Sequence, residues 1–216
     1  MARIKDIEQL TFREMMTHLD LYSGLPDGLI ELPLPGKIQI GRKRYEIPPT
    51  MEEFARNICY GQRLFLVREE PNDIGLITRM MDGYYYPVVT GKKWDEEKAL
   101  LFGNKILPCK VKELYPVAMH LIKLVSELAD REIKLLHREP SKIELAAGIE
   151  KLNVFSEMMS LDFLRDNMKI SIPEVILTPY NECLVRFMNA KEMAAFQERY
   201  FELIKEEATA KPKYKK

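Results

Sequence analysis

Five times along this chain a side-chain oxygen stands three residues ahead of a glutamate, the spacing of a helix-opening capping box. Thr11 with Glu14, Thr50 with Glu53 and Ser141 with Glu144 carry it with a hydroxyl, and Ser171 with Glu174 adds Pro173 just inside the start. Asn189 with Glu192 is the amide version. In each pair the first side chain accepts from a backbone N–H that the opening turn leaves without a partner, and the glutamate reaches back to serve a second one. A 216-residue chain with this many helix starts is expected to be mainly α.

Between the starts, apolar spacing and helix breakers give the order of elements. Phe12, Met15, Met16, Leu19 and Tyr22 share one helical face, and Gly24 is a plausible stop. Residues 25–36 hold three prolines and two glycines and read as a linker. Lys37 to Ile47 alternates polar with apolar around Gly41, the pattern of a short hairpin. A helix from Thr50 is expected to end at Gly61, and another, capped by Asn72 or Asp73, to end after Met81 at Gly83. Tyr84 to Val89 reads as β-prone, Trp94 to Phe102 as a short helix and Ile106 to Val111 as extended. The longest helical pattern starts near Pro116 and carries Val117, Leu121, Leu124, Val125, Leu128, Ile133 and Leu136, the expected spine of the core.

Beyond it, residues 142–167 are interrupted at Gly148 and Asn153, and Pro179 should kink or split residues 172–188. A last helix over about 190–207 presents Met193, Phe196, Tyr200, Leu203 and Ile204. The expected fold is thus a mainly α multi-helix bundle with a small N-terminal β-hairpin element. Its parts are residues 1–36 as helix and linker, 37–207 as the helical domain, either divided near 112 or, since no Pro/Gly-rich linker stands there, one cooperative unit, and 208–216 as a disordered basic tail.

Chemistry is sparse. Lys plus Arg and Asp plus Glu are both 33, so no global field draws the chain to nucleic acid or to an anionic membrane. Cys59, Cys109 and Cys183 lie far apart outside any CxxC pair, which suits a reducing cytoplasm, and the apolar runs are too short to cross a bilayer. His18, His120 and His137 lack metal-ligand spacing, and neither a GxSxG elbow nor a glycine-rich phosphate loop occurs. Asp162 and Asp166 share a helix face and could hold a divalent cation for a nuclease, but Arg165 beside them favours a solvated charged face. No catalytic, metal-binding or cofactor-binding residue is assigned, and no cofactor is expected.

Two groups are candidate partner-binding residues. Tyr84, Tyr85 and Tyr86 with Trp94 concentrate amphipathic aromatic area of the kind found at interface hot spots. Arg42, Lys43 and Arg44 at the hairpin turn, with the Lys-rich tail, could meet phosphates in a small nucleic-acid-binding module. Core packing for the first group and ordinary solvated charge for the second are the competing readings.

The run Lys37 to Pro48, followed by Thr50-Met51-Glu52-Glu53-Phe54, resembles the opening of tailed-phage morphogenesis proteins of the tail-assembly-chaperone kind. Ala146 to Phe155, Ser160-Leu161-Asp162 and Pro179-Tyr180 are similar to the helical C-terminal half of such proteins, so the likeness spans about 37–207. The resemblance implies a non-enzymatic helper in the host cytoplasm or the assembled virion that binds tail-tube or tape-measure subunits. A head-to-tail connector or ring component is the nearest alternative, homo-oligomerisation is open, and neither membrane nor nucleic acid is the expected partner.

Overall fold

The computed structural model describes residues 9–17, 32–68 and 73–210. Among them are ten α-helices, one 3-10 segment and one two-stranded antiparallel hairpin, so the chain is mainly α as expected. The helices are α1 (Phe12–Thr17), α2 (Met51–Asn57), α3 (Tyr60–Leu66), α4 (Asp73–Thr90), α5 (Glu96–Ile106), α6 (Val111–Leu136), α7 (Lys142–Ala146), α8 (Ser156–Met168), α9 (Ile172–Leu177) and α10 (Tyr180–Ala210). The hairpin is β1 (Lys37–Ile40) and β2 (Lys43–Glu46), and Ile149–Phe155 forms the 3-10 segment.

Four of the five capping boxes open helices. Glu14 accepts from the Thr11 N–H at 2.8 Å, the Glu53 N–H reaches the Thr50 hydroxyl at 3.3 Å, and Ser141–Glu144 and Ser171–Glu174 close reciprocally. The fifth pair, Asn189 with Glu192, lies inside α10, where the preceding turn already supplies carbonyl partners and no start is needed. The hairpin pairs Ile38 with Tyr45 and Ile40 with Lys43, which leaves a two-residue loop at Gly41 and Arg42. Gly41 takes φ +64, the left-handed conformation such tight loops require. Ile38 and Ile40 face the core, and the Cys109 thiol donates to the Gln39 carbonyl at 3.3 Å, tying the hairpin to the start of α6.

The main core gathers around α6. Val111, Leu114, Val117, Ala118, Leu121, Leu124 and Leu128 are buried, and the cluster they belong to runs from Phe12 to Leu184, joining both sides of residue 112. Phe12 and Met15 sit in this same cluster, and the Phe12 N–H donates to the Cys109 carbonyl at 2.8 Å, so the N-terminal helix packs into the body. Of the expected spine, Leu136 is half-buried and Ile133 is exposed. A smaller cluster holds Tyr60, Leu64, Leu164, Val175 and Cys183.

Several elements differ from the sequence expectation for identifiable reasons. Gly61 and Gly83 are not stops: the helix from Thr50 ends at Asn57, Gly61 lies in the first turn of α3 and Gly83 lies inside α4, both at close crossings. A methyl at Gly61 would stand 2.8 Å from the Trp94 ring, and one at Gly83 would stand 2.7 Å from Leu66 Cδ2. Tyr84–Val89 is helix, not strand: α4 runs on through Pro87, whose missing N–H leaves the Gly83 carbonyl without its ladder donor. The Gln62 side-chain amide donates to that carbonyl at 2.9 Å, which lets the helix continue. Helix α6 begins at Val111 rather than near Pro116. Pro179 splits its segment as expected, but the helix after it runs unbroken from Tyr180 to Ala210, so residues 208–210 are helical and not a disordered tail. The remainder of the tail, the end of the first helix at Gly24, most of the linker, and Asn72 lie outside the described residues. No helix among the described residues is long and apolar enough to cross a membrane.

Candidate functional site

Successive residues on a helix point about 100° apart, so three consecutive tyrosines span about 200°, more than half of the helix circumference, and all three are buried because α4 is flanked on several sides. Tyr84 stacks on Phe54 of α2 at 5.4 Å and meets Tyr85 edge-on at 5.0 Å. Tyr86 packs edge-on against Trp94 and against Phe102 of α5 at 6.2 and 6.1 Å, and Trp94 in turn meets Phe65 at 5.3 Å. The structure thus places Tyr84, Tyr85, Tyr86 and Trp94 in the core, where they hold α2–α5 together and expose almost nothing to a partner. Arg42, Lys43 and Arg44 are exposed at the hairpin tip.

The remaining sequence candidates offer little reactive chemistry. Asp162 and Asp166 share a face of α8, but Arg165 sits between them, bonded to Asp162 at 2.8 Å and to Asp166 at 3.0 Å. No group of three or more potential metal ligands occurs among the described residues. Burial pushes the Cys109 thiol up to about 11 and the Cys183 thiol up to about 12, so both are protonated near neutral pH and poor nucleophiles. A ring nitrogen of His120, Nε2, lies 2.8 Å from the Pro48 carbonyl, which can only accept, so that nitrogen carries the proton.

Two features that sequence reasoning did not single out are more distinctive. The first is the free length of α10. Lys191 donates to the carbonyls of Leu135 and His137 at 2.9 and 3.0 Å and fastens α10 to the end of α6. Past that point Arg138 reaches Glu198 at 3.6 Å, and the residues from 196 to 209 are exposed. Met193, Phe196, Tyr200, Leu203 and Ile204 lie within an arc of about 100°, with Phe201 beside them, and each is 43–63% exposed. The sequence pattern had marked this face as apolar; only the fold shows that nothing among the described residues covers it. Leu152, Val154, Phe155, Met158 and Met159 form a second exposed apolar group around the start of α8.

The second feature is a polar cavity where two helix starts meet. An antiparallel bridge between Cys59 and Pro179 lets the Tyr60 N–H donate to the Thr178 carbonyl at 2.9 Å and the Tyr180 N–H donate to the Ile58 carbonyl at 3.1 Å. Tyr60 and Tyr180 therefore open α3 and α10 side by side. One turn along α3, Arg63 grips Glu132 of α6 with two hydrogen bonds, its Nε donating to Oε1 at 2.9 Å and its Nη2 to Oε2. Burial disfavours the guanidinium charge, and the hydrogen bonds and charge of Glu132 more than offset that, so Arg63 stays cationic. Burial pushes the Tyr60 phenol up to about 12 and carries that of Tyr180 higher still. Both phenols are therefore hydrogen-bond donors near neutral pH.

These groups, with Ser160 of α8 and Leu136, Leu184 and Phe187, enclose about 130 Å³, and a second recess of about 390 Å³ shares Tyr60, Arg63 and Ser160. The arrangement gathers two phenols, a hydroxyl and a paired guanidinium and carboxylate around one small space.

Elsewhere, Asp82 of α4 is 1% exposed and its Oδ1 has no hydrogen-bond partner. Burial pushes its carboxyl up to about 8.

No protein-family model, no curated protein and no solved structure matches the chain.

Proposed function

We propose that this chain is a non-enzymatic protein-binding factor whose C-terminal helix docks on an assembly partner. In the setting that the sequence resemblance implies, the partner is a tail-tube or tape-measure subunit of a tailed phage. One observation carries the reading: six large apolar side chains on the outer part of α10, from Met193 to Ile204, are left about half exposed. Together they present on the order of 600 Å² of apolar surface, at the upper end of what monomeric proteins leave uncovered and close to one side of a standard protein interface. An amphipathic helix offered in this way is suited to lie in an apolar groove of another chain, with anchors spaced three and four residues apart.

The reading is tested by the double substitution Phe196→Glu with Leu203→Glu, which places two charges in the seam while touching no core residue. Co-expression with tail-tube and tape-measure subunits of a tailed phage should give capture by the wild-type chain and loss of capture by the variant. Equal capture by both, or capture of neither subunit by the wild type, refutes it.

A ring or connector component of the particle is the second reading, and the exposed apolar group from Leu152 to Met159 favours it. Two unlike sticky surfaces on one subunit are what a head-to-tail ring requires. Native mass spectrometry separates the two readings: a closed oligomer of the chain alone supports the ring, and a monomer that binds one partner supports the helper.

A further inference from the structure

The base of α10 carries a surface that complements its own outer end. Where α2 and α3 meet, an open groove of about 330 Å³ runs past the α4–α5 connection to the residue before α10. Arg56 at the end of α2 and Lys92 and Lys93 in the connection line it, all three exposed. No aspartate or glutamate lines it. None of these three side chains has a hydrogen-bond or ion-pair partner among the described residues. The rest of the wall includes half-buried Pro87 and Leu177 and exposed Pro179, which add apolar surface. A groove built in this way suits a partner that is apolar along one line and acidic beside it.

The outer part of α10 is such a partner. At about 100° per residue, Glu207 falls within the arc of Met193, Phe196, Tyr200, Leu203 and Ile204, and Glu192 and Glu206 fall within about 60° of its edge. All three acids are exposed, and Arg199 is the one base on that side. A single chain cannot bring seam and groove together. Helix α10 is unbroken from Tyr180 to Ala210, so the groove at its start lies about 30 Å from the middle of the seam. A second copy can. The other exposed apolar group, Leu152 to Met159, is a poorer seat for the seam, because it carries Glu150 and Glu157 and would set acid against acid.

We propose that the α10 seam of one copy seats in the groove of the next, its acids facing the cations Arg56, Lys92 and Lys93. The contact joins unlike surfaces and is therefore head-to-tail: every added subunit leaves one seam and one groove free, and copies add in sequence to a ring or a filament. In this assembly, which rests on the ring reading of the chain, the groove is the face that receives the helix.

The test is sedimentation velocity on the full chain and two variants. Lys92→Glu with Lys93→Glu reverses the groove's charge and alters only exposed side chains, so its melting temperature should match that of wild type. Phe196→Glu with Leu203→Glu blocks the seam. Wild type should assemble with an affinity on the order of micromolar, and raising the ionic strength should weaken that assembly at least about threefold. Each variant alone should associate at least about tenfold more weakly. An equimolar mixture of the two should give a 1:1 dimer that grows no further, because the mixture can form one intact seam-in-groove contact and no second one.

The proposal is overturned if wild type stays a monomer up to about 100 μM, well above the dissociation constant expected of an interface this size; the ring reading then falls with it. It is overturned alone, with the ring reading left standing, if wild type assembles but does so equally at all ionic strengths, if the groove variant assembles as well as wild type, or if the mixture stays monomeric. Binding of a double-stranded oligonucleotide by the seam variant, abolished when Lys92→Glu and Lys93→Glu are added, would give the groove to nucleic acid and overturn it as well.

Discussion

Replacing Asp82 by asparagine removes an ionisation while keeping the side chain's shape. The carboxyl lies in α4 facing Gly103 of α5, so close that a methyl at Gly103 would stand 3.1 Å from Oδ2. It is 1% exposed, and burial lifts its pKa from 3.8 to about 8. In the folded chain the acid therefore holds its proton up to about pH 8, and in the unfolded chain it loses that proton near 3.8. Between those values unfolding releases a proton, so rising pH favours the unfolded state. The stability associated with the protonated acid is fully present below about pH 4, declines by ~1.4 kcal/mol per pH unit, and is gone above the folded pKa, a total of at most ~6 kcal/mol.

Asparagine has no such dependence. Urea denaturation of both proteins from pH 5 to pH 9 cancels the titration of every other group in the difference. Wild-type stability minus variant stability should fall steadily across pH 5–8 and then flatten, with the asparagine protein the more stable at pH 9. Two parallel stability curves, or an aspartate protein that is the more stable at pH 9, would mean that the carboxylate is ionised and partnered in the fold, and the reasoning would be refuted.

Two further substitutions test how the helices are joined. Gln62→Leu deprives the Gly83 carbonyl of its donor and the Cys59 N–H of its acceptor, bonds of 2.9 and 3.0 Å; chemical denaturation should show a loss of ~2–3 kcal/mol from leaving both groups unpaired. Gly61→Ala improves helix propensity by up to ~1 kcal/mol but presses a methyl into the Trp94 ring and Ile176. The net result should be a destabilisation of ~1–2 kcal/mol in the same assay, whereas a more stable alanine variant would show that the crossing has room.

Helix starts were legible because a capping box is local chemistry: Thr50 and Glu53, or Ser171 and Glu174, meet across one turn whatever the rest of the chain does. The hairpin was legible for the same reason, from alternation and Gly41. Helix ends and interiors were less so. Glycines and prolines carry two meanings, and a sequence does not say whether Gly61 stops a helix or lets another pass close by, or whether Pro87 breaks one or has its orphaned carbonyl served by Gln62, 25 positions earlier.

The candidate sites divide along the same line. The chain's residue order alone determined a mainly α body with one small hairpin, balanced charge and no local motif for metal or nucleotide chemistry, because such features depend on neighbours in sequence. Whether an apolar or aromatic face is core or surface depends instead on what other segments reach it. The tyrosines of α4 became core because α2, Trp94 and α5 close over them, and the apolar seam of α10 became surface because the helix runs past the end of α6. The Tyr60–Tyr180 cavity likewise needed residues from α3, α6, α8 and α10 brought together by a single backbone bridge, a convergence set by tertiary packing.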